Sequence, residues 1–150
     1  LKAAVLDGKI YAIGGFDEAE IVVDRVEVYD PATNTWADAS PMGTARQCHG
    51  VAALDGKIYV AGGETADAAY LSSVEVFDPQ TQSWAGVASM PAERVYFTLT
   101  AVQGQLYAVG GTGGTSDRVG TVEAYDPQLN RWKTLASVPT TRASHGAVAV

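Results

Sequence analysis

The chain has 150 residues, of which 47% are hydrophobic, and a formal net charge of −7. This length suits a single domain with a sizeable core, and the apolar content argues against wholesale disorder. Its lysines and arginines form no cluster, which excludes the basic surface of a nucleic-acid-binding protein and disfavours an anionic membrane. No apolar run reaches the roughly 18 residues of a membrane span, so we expect a soluble protein.

The first part of the chain reads as four short strands joined by turns. Asp7-Gly8 is a hairpin turn signal, Gly14-Gly15 ends the second strand before an acidic loop, and Asp30-Pro31 opens another turn. No stretch has the apolar spacing of an amphipathic helix, which favours an antiparallel sheet. The predicted strands span residues 1–6, 9–13, 22–29 and 36–39.

This pattern recurs with a period of 48 residues. Three copies in register indicate a repeat architecture, with units at 1–47, 48–95 and 96–143 and the start of a fourth copy at 144–150. The recurring positions are a tyrosine, a Gly-Gly doublet, a glutamate, a tryptophan and an arginine: Tyr11, Tyr59 and Tyr107; Gly14, Gly15, Gly62, Gly63, Gly110 and Gly111; Glu27, Glu75 and Glu123; Trp36, Trp84 and Trp132; Arg46, Arg94 and Arg142.

The doublet with its preceding tyrosine, the Val-Glu and Asp-Pro pairs and the tryptophan resemble the kelch motif over essentially the whole chain. The resemblance implies a β-propeller, in which each repeat forms a four-stranded blade around a central channel. The predicted fold is therefore all-β, with three antiparallel blades plus one extra inner strand. Because blades pack face to face, both faces of each strand are expected to be covered, which explains the lack of polar alternation.

Three blades are too few to close a ring of roughly four to eight blades. One hypothesis is a head-to-tail homodimer that completes a six-bladed ring, and the other is that the chain is a segment of a longer propeller. Residues 144–150 repeat the inner-strand role of residues 1–6. In a dimer, the end of one chain is therefore expected to complete the first blade of the other and to displace residues 1–4.

Residues present in every unit are expected to serve the scaffold. A lone carboxylate in mid-strand between blades would be costly, so we predict that each repeated glutamate pairs with a repeated arginine of its own or an adjacent blade. The alternative is a ring of arginines at the channel mouth that binds a carboxylate.

Positions that vary between units are better candidates for recognition, because recognition needs asymmetry. The loops between second and third strands and the connections between blades are expected to share the face at the channel mouth. The resemblance implies that partners usually dock there. The predicted partner-binding residues are the varying positions Phe16, Asp17, Glu18, Cys48, Glu64, Asp67, Tyr70, Tyr96, Asp117, Arg118 and Ser144, together with the repeated Arg46, Arg94 and Arg142 at the same face. Further varying positions are Glu20, Thr65, Thr112, Thr115 and Ser116.

The sequence offers little for metal or covalent chemistry. His49 and His145 are equivalent, but Phe97 stands between them in the repeat, so no ring of ligands forms and no metal or cofactor is predicted. Cys48 is the single cysteine, which excludes an intrachain disulfide and is compatible with the cytoplasm. His49 should point to the opposite face, so no catalytic residue is assigned and Cys48 is expected to be buried.

Three functions remain open. The first is a non-catalytic protein-interaction module. The second is an enzyme, since some kelch-like propellers resemble sugar isomerases, which would need acids and an arginine at the channel mouth, and copper-dependent sugar oxidases, for which this chain has too few ligands. The third is a half-propeller that only assembles. The expected partners are a second copy or further blades, and another protein or peptide.

Overall fold

The computed structural model describes residues 1–114 and 117–147, and they form three antiparallel sheets of four strands each. Within that part of the chain no helix is long and apolar enough to span a membrane. The first sheet contains β1 Lys2–Leu6, β2 Lys9–Ile13, β3 Val26–Asp30 and β4 Thr35–Ala39. The second contains β5 Gly50–Leu54, β6 Lys57–Ala61, β7 Val74–Asp78 and β8 Ser83–Val87, and the third β9 Thr98–Val102, β10 Gln105–Val109, β11 Val122–Asp126 and β12 Arg131–Leu135.

The strands differ from their predicted bounds mainly at their starts. The predicted inner strands of the second and third units are 48–54 and 96–102, but the observed ones begin two residues later, at Gly50 and Thr98. Cys48 and Tyr96 have φ angles of 53° and 55°, which do not belong to a strand. The third strand of the first sheet begins at Val26 rather than Val22. Val22 instead forms an isolated bridge with Phe16 across the loop.

The inner strands β1, β5 and β9 lie side by side, and the sheets fan outward from them as propeller blades. In the middle blade, Ile58 packs in the cluster shared with the first blade, whereas its neighbour Tyr59 packs in the cluster shared with the third. Both faces of the middle sheet are therefore covered, as predicted. At the end of the arc, by contrast, Val5 is 65% exposed and Trp36 is 57% exposed.

The Gly-Gly doublet is required where two chain segments cross. Gly62 has φ of 60°, and a Cβ there would lie 2.5 Å from the carbonyl oxygen of Arg94. Gly63 has φ of 97°, and a Cβ there would lie 2.6 Å from the carbonyl oxygen of Gln47. Backbone atoms cannot move aside as a flexible side chain can, so both positions exclude any side chain.

A buried ion pair joins Arg46, which follows the first blade, to Glu75 of the second blade. We call such an arginine–glutamate pair between blades a clasp. Arg46 lies in the connection after β4 and is fully buried. Its Nη2 donates to Oε1 of Glu75 at 2.6 Å and to Oγ of Ser73 at 3.1 Å, while Nη1 donates to the carbonyl oxygen of Gly62 at 2.8 Å. Gly43 adds a backbone hydrogen bond to Oε2 of Glu75 at 2.7 Å. The predicted pairing of repeated arginine and glutamate is confirmed, across the blade boundary.

The second clasp, between Arg94 and Glu123, is less completely hydrogen-bonded. Nη2 of Arg94 lies 3.1 Å from Oε2 of Glu123, but this oxygen has no hydrogen-bonding partner. The position equivalent to Gly43 is Pro91, which has no N–H to donate. Burial accordingly raises the pKa of Glu123, and Arg94 opposes that rise.

The outer glutamate, Glu27, pairs with no repeated arginine and instead lies 3.2 Å from Arg25, the residue just before β3. At the other end, Ser144–Ala147 lie in no strand, and 148–150 fall outside the described residues. Lys2–Leu6 fill the inner position of the first blade and pair with β2 along their whole length. The predicted displacement of residues 1–4 is therefore absent from the single chain.

We expect Gly62→Ala to lower the melting temperature far more than Gly56→Ala. Gly56 also has a positive φ, of 73°, but a Cβ there would meet nothing within 4 Å. The control should therefore cost only about 1 kcal/mol of backbone strain. Thermal unfolding followed by circular dichroism measures both. An equal drop in melting temperature for the two variants would show that the backbone segments at Gly62 leave room for a side chain.

Replacing Glu75 with Gln should destabilise the fold by about 3 kcal/mol, because it leaves the buried guanidinium of Arg46 without its counter-charge. Urea unfolding of the purified chain measures the change. Lys57→Gln is the control, since it removes an exposed ion pair with Asp78 that solvent already screens. Unchanged stability in the Glu75 variant would contradict the clasp.

The buried His49 should make the fold sensitive to acid. Burial, aided by the charge of Arg46, lowers the pKa of His49 from 6.5 to about 3. Between these values the unfolded chain binds one more proton, so stability falls as the pH falls, by about 1.4 kcal/mol per pH unit from this residue. His49→Phe, which copies Phe97 at the equivalent position, should flatten the curve below pH 6.5. Parallel stability–pH curves for both proteins would refute this.

Candidate functional site

The channel mouth is built from the loops after the second strands and the connections between blades. Gln47, in the first connection, exchanges backbone hydrogen bonds of 3.0 and 2.9 Å with Glu64 in the loop of the next blade. Val95 and Thr112 repeat this pair at 3.0 and 2.8 Å. The two sets of segments therefore lie on one face, as predicted from the alternating direction of the strands.

Three equivalent residues form the rim of this mouth. Cys48, Tyr96 and Ser144 have φ angles of 53°, 55° and 56°, which is uncommon outside glycine. The backbone N–H of Tyr96 donates to the carbonyl oxygen of Cys48 at 3.0 Å, and that of Ser144 donates to Tyr96 at 2.8 Å. The rim is thus fixed from blade to blade, while its side chains differ.

A cavity of about 300 Å³ opens at the rim. It brings together four of the predicted partner-binding residues, Phe16, Cys48, Tyr96 and Ser144. Other lining residues, among them Lys2, are not among the residues predicted from the sequence. Lys2 occupies the position of Gly50, Thr98 and Gly146 in the repeat, so its variation along the chain was a signal for a recognition residue. The remaining lining residues are Leu1, Gly15, Gln47, Phe97 and His145.

Tyr96 and Cys48 contact one another at this rim. Hydrogen bonding to the sulfur of Cys48, the electrostatic effect of that group and partial burial raise the pKa of Tyr96 to about 12. The phenol therefore stays protonated over the whole physiological range. Cys48 is half-buried rather than buried as predicted, because its positive φ places it on the rim and not inside the sheet.

Exposed carboxylates lie in the loops on the same face as the cavity, although none of them lines it. Glu18, Glu20 and Asp67 are exposed and make no ion pair within the described part of the chain. Asp17 has a structural role, because its carboxylate accepts hydrogen bonds from the backbone of Ala19 and Ile21. The mouth therefore presents a negative field to solvent.

The other candidate residues lie around the mouth but do not line the cavity. Glu64 and Tyr70 are half-buried, and both contribute to the electrostatic environment of Tyr96. Asp117 and Arg118 are exposed in the loop of the third blade, where Arg118 forms a backbone bridge with Thr112. Thr115 and Ser116 lie outside the described residues.

The repeated arginines are not a ring at the mouth. Arg46 and Arg94 are 0% and 1% exposed and are held in the clasps, so they must be removed from the partner-binding set. Their placement follows from the neighbouring glutamates, which require a buried counter-charge. Arg142 alone is exposed, at the end of the arc.

The described residues contain no group of three or more His, Cys, Asp or Glu side chains that could hold a metal ion. His49 packs beneath Gly14, where its Cε1 would lie 3.0 Å from an added Cβ, and neither ring nitrogen has a hydrogen-bonding partner. Cys48 and His49 therefore do not form a nucleophile and base pair.

Comparison with known proteins identifies the repeat. The family model described as the KLHDC2/KLHL20/DRC7 Kelch-repeats domain matches residues 1–150. Kelch-like protein 6 of Homo sapiens is 49% identical over 41 residues, which are 27% of this chain and 6% of that protein. Kelch-like protein 35 of Homo sapiens is 44% identical over 52 residues, 35% of this chain and 9% of that protein.

An F-box/kelch-repeat protein of Arabidopsis thaliana is 48% identical over 44 residues, 29% of this chain and 12% of that protein. Each of these matches spans only a small part of the relative's length. The solved structure of YjhT superposes with a TM-score of 0.80 at 21% identity, covering 94% of this chain and 52% of YjhT. The fold, the motif and the family model agree: the chain belongs to the kelch-repeat family and forms three blades of a β-propeller.

Proposed function

We propose that the chain is a non-catalytic protein-interaction module whose channel mouth binds a basic peptide segment. The kelch propeller fold is consistent with protein interaction. The observation that carries the proposal is the combination at the mouth of exposed aromatic side chains with carboxylates that make no ion pair. Phe16 is 55% exposed and Tyr96 is 42% exposed, and both line the cavity.

This combination suits a segment rich in arginine. A guanidinium stacks on the face of a tyrosine or phenylalanine and is attracted by the carboxylates around it. The net charge of −7 adds long-range attraction for a basic partner and speeds its association. At the opposite end of the blades, by contrast, Asp30 and Asp78 are the last residues of β3 and β7, and each pairs with a lysine.

The alternative of a sugar isomerase stays a prediction, and the cavity offers it less support. That activity would need acids and an arginine within the channel mouth. Among the described residues that line the cavity, Lys2 carries a full charge and none is a carboxylate or an arginine. The acids lie outside the cavity, in the loops of the mouth, where a large partner could contact them.

Two mouth variants should weaken binding of a short Arg- and Lys-rich peptide, measured by fluorescence anisotropy at low salt. Tyr96→Ala removes an aromatic contact and should raise the dissociation constant about tenfold. Asp67→Asn removes one peripheral charge and should raise the dissociation constant about threefold. The dissociation constant of this variant should also depend less on salt concentration.

Asp55→Asn is the matched control, because it removes the same charge from a turn at the opposite end of the blades and asparagine tolerates its φ of 50°. A glutamate-rich peptide of equal length controls for charge sign. The proposal fails if the acidic peptide binds equally well, or if the Asp55 variant weakens binding as much as the Asp67 variant.

A further inference from the structure

A second cavity, of about 180 Å³, lies next to the cavity at the rim, where the inner strands begin. Lys2, Phe97 and His145 line both cavities, so this inner cavity continues from the mouth into the channel. Its other walls come from the first residues of β5 and β9 and from residues 146–147. A volume of this size has room for about six water molecules or for one small solute.

The charge of the inner cavity differs from that of the chain as a whole. The chain has 17 acidic residues and a net charge of −7. Among the described residues that line the inner cavity, however, Lys2 is the one lysine or arginine, and none is an aspartate or glutamate. Lys2 also makes no ion pair within the described part of the chain, so its ammonium group is available to a ligand.

The charge of Lys2 acts on the wall of the inner cavity. His49 lines this cavity and is 0% exposed. Burial, and then positive charges that include Arg46 and Lys2, lower the pKa of His49 to about 3. His49 is therefore uncharged at neutral pH, and the positive potential at this wall comes from Lys2 and other neighbouring cations. Such a potential favours an anion.

Two polar side chains that line the inner cavity have no hydrogen-bonding partner. Thr98, the first residue of β9, is 8% exposed, and its Oγ1 is buried without a partner. Both ring nitrogens of His145 are also buried without a partner. An unpaired buried polar group costs about 1–3 kcal/mol, and most such groups in folded proteins are paired. A ligand that accepts hydrogen bonds would pair with both side chains.

These groups line the inner cavity from different sides. Lys2, Gly50 and Thr98 are equivalent in the repeat and stand on the neighbouring inner strands β1, β5 and β9. A Cβ at Gly50 would lie 2.7 Å from Cβ of Leu99 and 2.8 Å from the ring of Phe97, so this position must lack a side chain. Lys2 and Thr98 therefore line the cavity from either side of β5, which contributes only backbone at this position.

Groups on several sides favour a tetrahedral oxyanion over a carboxylate. A phosphate group presents oxygens in every direction, whereas a carboxylate presents its two oxygens along one edge. At neutral pH a phosphate group carries between 1.5 and 2 negative charges, roughly, and its oxygens are strong acceptors. A lysine ammonium binds phosphate as a point charge and does not need the planar geometry that arginine imposes.

We propose that the inner cavity binds a phosphate group, with Lys2 as its counter-charge and with the Thr98 hydroxyl and an N–H of His145 as hydrogen-bond donors. Neutral histidine suffices, because one of its ring nitrogens carries a proton. This site goes beyond the proposed peptide-binding function, since its ligand has the opposite charge and lies deeper than the mouth. The phosphate belongs either to the free inorganic ion or to a small monoester whose remaining part lies in the cavity at the rim.

Isothermal titration calorimetry at constant ionic strength tests the site with inorganic phosphate, phenyl phosphate and acetate. Both phosphate compounds should bind, and acetate should bind roughly tenfold more weakly because it leaves one side of the cavity unpaired. Tighter binding of phenyl phosphate than of inorganic phosphate assigns the site to monoesters, and the reverse order assigns it to the free ion.

Lys2→Gln should raise the dissociation constant for phosphate about tenfold, because it removes the counter-charge. Lys133→Gln is the matched control, since it removes the same charge from an exposed position on β12 and should leave phosphate binding unchanged.

Thr98→Val should weaken phosphate binding about fivefold. It should also raise the melting temperature of the ligand-free protein, because a methyl group replaces an unpaired buried hydroxyl. This opposite pair of changes separates a ligand-binding role from damage to the fold, which would lower the melting temperature. The proposal is overturned if neither phosphate compound binds, if acetate binds as tightly as phosphate, or if the Lys2 and Lys133 variants bind phosphate equally well.

Discussion

The arc depends on a guanidinium buried at each seam between blades. A buried charge is tolerated only when its counter-charge and hydrogen bonds are in place, so Arg46 fixes the relative position of two sheets that share few backbone contacts. The Gly-Gly doublet of the middle blade is where the two seams meet. The carbonyl oxygen of Gly62 accepts from Arg46, and the N–H of Gly63 donates to the carbonyl oxygen of Arg94 at 2.8 Å. Both seams therefore contact the same two-residue segment of the middle blade.

In this arrangement, the residues that hold the blades together are different from the residues that are free to contact a partner. The repeated arginine and glutamate side chains make the contacts between blades, so the residues at the channel mouth are ones that differ from blade to blade. The rim is an example, since Cys48, Tyr96 and Ser144 share one backbone conformation and have three different side chains. A rigid backbone with variable side chains is what a binding surface requires, because little conformational entropy is lost when a partner docks.

Much of the architecture could be predicted from the period of the sequence alone. Repetition identified four strands per blade, and the cost of burying Glu75 and Glu123 predicted their arginine partners. The strand starts were wrong where Cys48 and Tyr96 adopt positive φ, since nothing in their residue types indicates it. The burial of the Arg46 side chain was also not predictable, because it depends on how closely two blades approach one another and not on the sequence around Arg46. Lys2 was not predicted although its repeat position varies, because it lies at the start of the inner strand β1 and not in a loop.

The exchange of Gly43 for Pro91 makes the two seams unequal. In a repeat protein, each unit is coupled mainly to its neighbours, so the overall behaviour follows the weakest coupling. The carboxylate of Glu75, between the first and second blades, has both oxygens hydrogen-bonded, whereas Oε2 of Glu123, between the second and third, has an ion pair with Arg94 but no hydrogen bond. The third blade is therefore attached by the weaker of the two seams. We expect partial opening to begin there, so that its amide protons exchange with solvent before those of the other two blades.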